Sequence, residues 1–158
     1  MLVVLDIDGV MVPATSWKKP EFLNDGFSAF SPRATSGLQK IILETNATIV
    51  LSTSHKFKYT LPQWKEMFKQ RGIVISGIQR LEDNLTYLTR KEEILNWLNN
   101  NTDIKEYVII DDDKSLNGLP VSIKDKLVLT SPMVGLTDES ASLAIEILRK
   151  QNLISHST

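Results

Sequence analysis

The sequence predicts an α/β fold, a three-layer sandwich with a central parallel sheet covered by helices on both faces. Three observations predict it. Short aliphatic runs recur without alternation, as in strands buried on both faces. Amphipathic stretches at helical spacing separate them. The chain has 158 residues, 42% hydrophobic and 23% charged, which suits one domain (residues 1–158) around one core.

Leu2-Val3-Val4-Leu5 is the first strand. Residues 9–31 read as irregular, interrupted by Pro13, Pro20 and Gly26. Ser31-Pro32 has the form of an N-cap with proline at the first helical position, and Leu38, Ile41, Ile42 and Thr45 follow on one face. Thr48-Ile49-Val50-Leu51-Ser52 is the second strand. A helix follows from about Leu61 to Gln70, with Gly72 as its stop. Ile73-Val74-Ile75 reads as a short third strand. Thr89-x-x-Glu92 has the form of a capping box, and Ile94, Leu95, Trp97 and Leu98 form the apolar face of the helix it opens. Tyr107-Val108-Ile109-Ile110 and Leu127-Val128-Leu129 are the fourth and fifth strands. The last helix is expected from about Thr137 to Gln151, with Leu143, Ile145, Ile147 and Leu148 inside.

Composition excludes several classes. No apolar run approaches the roughly 18 residues of a membrane span. Met1-Leu2-Val3-Val4-Leu5 meets an acid at Asp6 and lacks the basic flank of a secretory signal, so a cytoplasmic location without membrane partners is expected. The absence of cysteine removes disulfide-linked partners, thiolate metal sites and thiol nucleophiles. A formal net charge of -1 gives no global attraction to nucleic acid, although a local patch stays open.

In a parallel sheet, ligands bind beyond the carboxyl ends of the strands. Asp6-Ile7-Asp8-Gly9 follows the first strand, Thr53-Ser54-His55-Lys56 the second and Asp111-Asp112-Asp113 the fourth. On an extended backbone Asp6 and Asp8 share a side. Carboxylates gathered at one edge repel one another, by about 4 kcal/mol per pair at 4 Å and an effective dielectric of 20. A hard divalent cation offsets this most simply, and Mg²⁺ prefers a few carboxylates with waters and phosphate oxygens. A solvated acidic turn and a capped strand end are the plain alternative.

Leu5-Asp6-Ile7-Asp8-Gly9-Val10 resembles the first motif of the haloacid dehalogenase (HAD) superfamily. The hydroxyl after the second strand, the basic residue opening the helix before the fourth strand, and Ile109-Ile110-Asp111-Asp112 resemble the remaining three. More narrowly, Ser52-Thr53-Ser54-His55-Lys56, Arg90-Lys91-Glu92-Glu93-Ile94, the aspartate triplet and Gly135-Leu136-Thr137 are similar to the HAD-type domain of RNA-repair proteins of the Swiss Army knife kind. That family usually has Trp-Arg where this chain has His55-Lys56.

The resemblance implies a HAD-like Rossmannoid fold and a Mg²⁺-dependent phosphomonoesterase. Asp6 is then the nucleophile, forming an aspartyl-phosphate, and Asp8 the general acid and base. Thr53 and Ser54 bind phosphoryl oxygens, with Gly9 and Lys56 beside the substrate. Arg90, or its neighbour Lys91, stabilises charge on Asp6 and the phosphoryl group. Asp112, helped by Asp111, holds Mg²⁺ with Asp6 and the backbone carbonyl of Asp8. Asp113 is expected to be exposed or behind the ligands, and His55 reads equally as a loop residue or a phosphate contact.

Asp8 to Ser31 leaves room only for a small flap at about 10–30, and Ser76 to Thr89 only for a loop, so the core is expected to be capless or minimally capped. An open site favours bulky phosphorylated substrates, a polynucleotide end foremost. The flap aromatics Trp17, Phe22, Phe27 and Phe30 either stack on a base or pin the flap to the core. Lys18, Lys19, Lys56 and Lys58 either rim the site or form an ordinary solvated face. Two other functions compete: a catalytically weak phosphate-binding or interaction module, and a receiver-type phospho-acceptor. The receiver order requires Asp after the third strand and Lys after the fifth, where Ser76 and Thr130 stand.

Overall fold

The computed structural model describes residues 1–14 and 21–155. Five parallel strands form one sheet: β1 (Leu2–Leu5), β2 (Thr48–Leu51), β3 (Ile78–Arg80), β4 (Tyr107–Asp111) and β5 (Leu127–Leu129). Their spatial order is β3-β2-β1-β4-β5, so the most apolar strands are central. The helices are α1 (Pro32–Thr45), α2 (Leu61–Gln70), α3 (Arg90–Asn100), a short α4 (Val121–Lys124) and α5 (Asp138–Ser155). This is the three-layer α/β arrangement that the alternating pattern predicts.

Side-chain alternation divides the core. Val3, Leu5, Ile49, Leu51, Val108 and Ile110 point to one face, against α1, α2 and α5. Val4, Val50, Tyr107 and Ile109 point to the other, against Ile94 of α3 and against Leu116 and Leu119 after β4. Strands apolar on both sides therefore have helices on both sides. Among the described residues, no helix is long and apolar enough to cross a membrane.

Local signals explain the helix boundaries. Ser31 caps α1, accepting from the backbone N–H of Ala34, and Pro32 opens the helix. Arg71 caps α2, and Gly72 at φ +81° turns the chain, a conformation that suits glycine. Thr89 caps α3 through the N–H of Glu92. The Glu92 carboxylate receives the Thr89 hydroxyl at 3.0 Å, where the reciprocal box would have it accept from the Thr89 backbone.

Two expectations need correction. The third strand is Ile78–Arg80 rather than Ile73-Val74-Ile75. Ile73 and Ile75 are buried in the core while Val74 is 72% exposed, so this apolar run packs without joining the sheet. Pairing starts just after Gly77, where an added Cβ would stand 2.8 Å from Thr48 Oγ1. Leu143 lies on the outer side of α5, 46% exposed, although Ile145 and Leu148 are buried. A 3₁₀ turn over Lys114–Gly118 and the short α4 connect β4 to β5, and both lack the length that makes helical periodicity legible.

The described part of the flap after residue 20 is pinned to the core. Phe27 packs edge-on to Tyr59 and Trp64, and Phe30 to Phe68. Arg71 grips Asp25 through two hydrogen bonds of 2.5 and 3.0 Å and also donates to the carbonyls of Phe27 and Ser28. Phe22 is exposed. Trp17, Lys18 and Lys19 lie outside the described residues.

Candidate active site

The strand register builds the site. Leu5 is in register with Leu51 on one side and Ile110 on the other. The next row across the sheet is therefore Ser52, Asp6 and Asp111. Backbone hydrogen bonds hold it, Asp6 N–H to Ile110 C=O at 3.1 Å and Ser52 N–H to Leu5 C=O at 3.0 Å. By alternation all three side chains fall on the face of Val4, Val50 and Ile109, which α3 covers. The first residue of α3 is Arg90.

Arg90 meets that row. Its NH1 nitrogen donates to Asp111 Oδ2 at 2.7 Å and to Ser52 Oγ at 3.3 Å, and lies 3.5 Å from Asp6 Oδ1. Its Nε lies 3.7 Å from Glu93 Oε1, one helical turn on. The other oxygen of Glu93 accepts from Lys56 Nζ at 3.1 Å. Glu93 thus ties Arg90 to Lys56. Lys91 turns away: its backbone N–H donates to Ser115 Oγ, and its side chain lies against Gly118. One residue of helix rotation accounts for the difference. The basic rim also needs correction at Lys56, which is 3% exposed and turned inward onto Glu93.

The remaining residues surround the row. Thr53 is fully buried, and its Oγ1 accepts from the His55 backbone N–H at 3.3 Å. Ser54 is exposed beside it. Asp8 is exposed, and its Oδ2 lies 2.8 Å from His55 Nε2. Gly9 has φ +79°, and its carbonyl accepts from Thr130 Oγ1 at 2.9 Å. Asp112 lies directly against Gly9. Asp113 turns back to cap the 3₁₀ turn through Ser115 N–H, and its own N–H donates to Asp111 Oδ1 at 3.0 Å.

The electrostatics are strained toward the acids. Burial first, and then the neighbouring Asp111 charge, push the Asp6 carboxyl from 3.8 to about 8, against the opposing pull of Arg90. Burial likewise pushes Asp111 up, with Arg90 opposing it. Burial disfavours the Arg90 charge, but Asp111 and Asp6 outweigh that and hold its pKa above the ordinary value. Arg90 faces Asp6, Asp111 and Glu93, Lys56 pairs with Glu93, and Asp112 stands beside Asp6 and Asp111, so four carboxylates meet two cations. Asp6, Asp111 and Asp112 each offer an oxygen within 4.8 Å of the others. An all-oxygen donor set with surplus negative charge fits a hard divalent cation. Both oxygens of Asp111 already accept hydrogen bonds, from Arg90 and from the Asp113 backbone, which leaves Asp6 and Asp112 the freer pair.

The aspartate just past the first strand stands beside an aspartate pair at the end of the fourth, with a helix-opening arginine against them. A family model described as the HAD domain in Swiss Army Knife RNA repair proteins matches residues 2–141. The chain belongs to this HAD family. Membership places it among the HAD-type hydrolases. The four segments carrying the HAD resemblance converge at the carboxyl edge of β1, β2 and β4. Neither the curated proteins nor the solved structures gave a match.

Sequence reading missed Ser52, Glu93 and the pairing of His55 with Asp8. Glu93 carried a signal, since it stands three residues after Arg90 on the same helical face. The His55–Asp8 contact carried none, because it joins two loops that are distant along the chain.

Proposed function

We propose that this HAD domain is a phosphomonoesterase that works through an aspartyl-phosphate, as one catalytic unit with the flap at about 10–30 as a partial cover. The convergence of Asp6, Asp112 and Arg90 at one sheet edge carries this reading. Asp6 attacks phosphorus, and the P–O bond to the leaving group breaks as Asp8 gives that oxygen a proton. Asp8 then takes a proton from water, whose oxygen displaces Asp6 and releases inorganic phosphate. Thr53 Oγ and the Ser54 N–H donate to phosphoryl oxygens, and the backbone at Gly9 lets the phosphate approach closely. Arg90, rather than Lys91, offsets charge on Asp6 and on the phosphoryl group.

Asp6 and Asp112, with Asp111 behind them and the Asp8 carbonyl, would hold Mg²⁺. Its charge would let an anionic carboxylate meet an anionic phosphate. The raised Asp6 carboxyl and the excess of acid over base in the site support this assignment. Lys56 is left out of substrate binding, because its ammonium is committed to Glu93.

A bulky phosphorylated substrate, with a polynucleotide end as first choice, suits the site. The β3–α3 connection over residues 81–89 contains no further helix or strand, so no cap encloses the site from that side. Phe57 and Tyr87 are exposed on loops that leave the carboxyl ends of β2 and β3, and Phe22 is exposed on the flap. Such rings are suited to stacking on bases. The family's description names RNA repair proteins, in keeping with this choice and with a cytoplasmic place of action.

The test is a phosphatase panel with and without Mg²⁺, covering sugar phosphates, nucleotides, phosphopeptides and oligonucleotides with 3′- or 5′-phosphate. Mg²⁺-dependent release of phosphate that disappears in Asp6→Asn, with the fold kept, is the expected result. Mg²⁺-dependent binding of phosphorylated ligands without turnover would favour an interaction module instead.

A further inference from the structure

We infer that His55 is a positioning residue for Asp8, aiming the carboxyl that protonates the leaving group. The inference rests on the phosphatase reading above. Asp8 is an exposed side chain, 62% accessible, on a turn that leaves the sheet. Exposed aspartates sample several rotamers, and a general acid must be held in one. His55 Nε2, 2.8 Å from Asp8 Oδ2, supplies the restraint.

His55 is itself held at its backbone and at its ring. Its backbone N–H is fixed on Thr53 Oγ1 at 3.3 Å. Its ring stands edge-on to Phe27, with centroids 5.5 Å apart and planes at 84°. Phe27 is 4% exposed and wedged against Tyr59 and Trp64. A chain of contacts therefore runs from the core through an aromatic wedge and the imidazole to the acid. Core packing lends its rigidity to a side chain that has little of its own.

The proton accounting is simple. With the imidazole in its Nε2–H tautomer and Asp8 as the carboxylic acid of the proposed reaction, Nε2–H donates to Oδ2, which leaves Oδ1 as the oxygen bearing the transferable proton. As Asp6 bonds to phosphorus, the electron pair of the breaking P–O bond goes to the ester oxygen, and that oxygen takes the Oδ1 proton. In the second step Oδ1 receives a proton from water. His55 neither loses nor gains a proton in either step.

The dependence of rate on the leaving group separates this role from others. An alkyl phosphate needs its leaving oxygen protonated, whereas a 2,4-dinitrophenyl phosphate does not. His55→Phe keeps a ring against Phe27 and removes the donor. His55→Gln restores an N–H at similar reach. With the wild type active on both esters, His55→Phe should lose roughly tenfold or more in kcat on the alkyl ester and about threefold or less on the dinitrophenyl ester. His55→Gln should recover most of the alkyl rate, and KM should stay near wild type throughout.

Equal loss on both esters, a rise in KM as the main effect, or no loss in His55→Phe would each overturn the inference while leaving the phosphatase reading intact. Should His55→Phe fail to fold, a folded His55→Gln that loses both esters equally would also overturn it. A wild type that releases phosphate from neither ester and from no member of the phosphatase panel would remove the phosphatase reading and this inference together.

Discussion

Gly9 leaves the space that Asp112 occupies. A Cβ on Gly9 would stand 2.0 Å from Asp112 Oδ2, so any other residue at position 9 displaces that carboxylate. The backbone there also has φ +79°, which side chains other than glycine's adopt at a cost of roughly 1–2 kcal/mol.

Gly9→Ala should therefore abolish the Mg²⁺-dependent rise in melting temperature while costing only a modest amount of stability without the ion. Thermal melts of wild type, Gly9→Ala and Asp112→Asn across a Mg²⁺ series provide the check. If Gly9→Ala kept the full Mg²⁺ response, Asp112 would not be a ligand.

Glu93 is the second point of leverage. Lys56 is buried and its ion-pair partner is Glu93. Removing one side of a buried pair costs about 3–5 kcal/mol, whereas replacing both with apolar residues is often close to neutral. Glu93→Gln should destabilise by that amount in urea melts, and Lys56→Met with Glu93→Leu should recover most of it. The double variant should still be slow as an enzyme, because Arg90 loses the carboxylate behind its Nε.

The Asp25–Arg71 pair predicts a pH effect on stability. Hydrogen bonds from Arg71 hold the Asp25 carboxyl below its ordinary value of 3.8, against a smaller opposing effect of burial. A lowered folded-state pKa contributes stability at pH above 3.8 that disappears as pH falls through the folded value. Asp25→Asn should melt below wild type at pH 7, and the gap should narrow below about pH 4. A gap that widened on acidification would contradict the assignment.

The connection before β3 gives a test of the fold. Ile75 is 1% exposed and Val74 is 72% exposed. Ile75→Ala should cost about 2–5 kcal/mol in chemical denaturation. Val74→Ala should change stability by less than about 0.5 kcal/mol. Equal effects at the two positions would restore the strand reading of Ile73-Val74-Ile75.

Sequence reading succeeded where one residue type has one physical use. Continuous aliphatic runs of three or four residues marked β1, β2 and β4, because a strand covered on both faces buries every side chain. Ser31-Pro32 and Thr89 marked helix starts through the orphan N–H groups that they cap. The acids after β1 and β4 were legible as a cluster, since neighbouring parallel strands bring their ends together. Ile73-Val74-Ile75 misled because three aliphatic residues satisfy a strand and a packed connector alike. That Arg90 rather than Lys91 meets Asp6 and Asp111 follows from the helix phase, which the sequence leaves open by one residue. Lys56 misled in a similar way, because an inward ammonium needs a buried acid and that acid, Glu93, belongs to another element.

The candidate site residues stem from the strand ends and from the first turn of a helix packed on the sheet, whereas the exposed rings Phe57 and Tyr87 stand on connectors. The row of Ser52, Asp6 and Asp111 is set by the pairing of β1 with β2 and β4, in which residues 82–88 take no part. Chemistry and recognition are thereby uncoupled in this architecture. If the proposed phosphatase function holds, loop exchange would change which phosphate-bearing molecules bind and leave the bond that is broken the same.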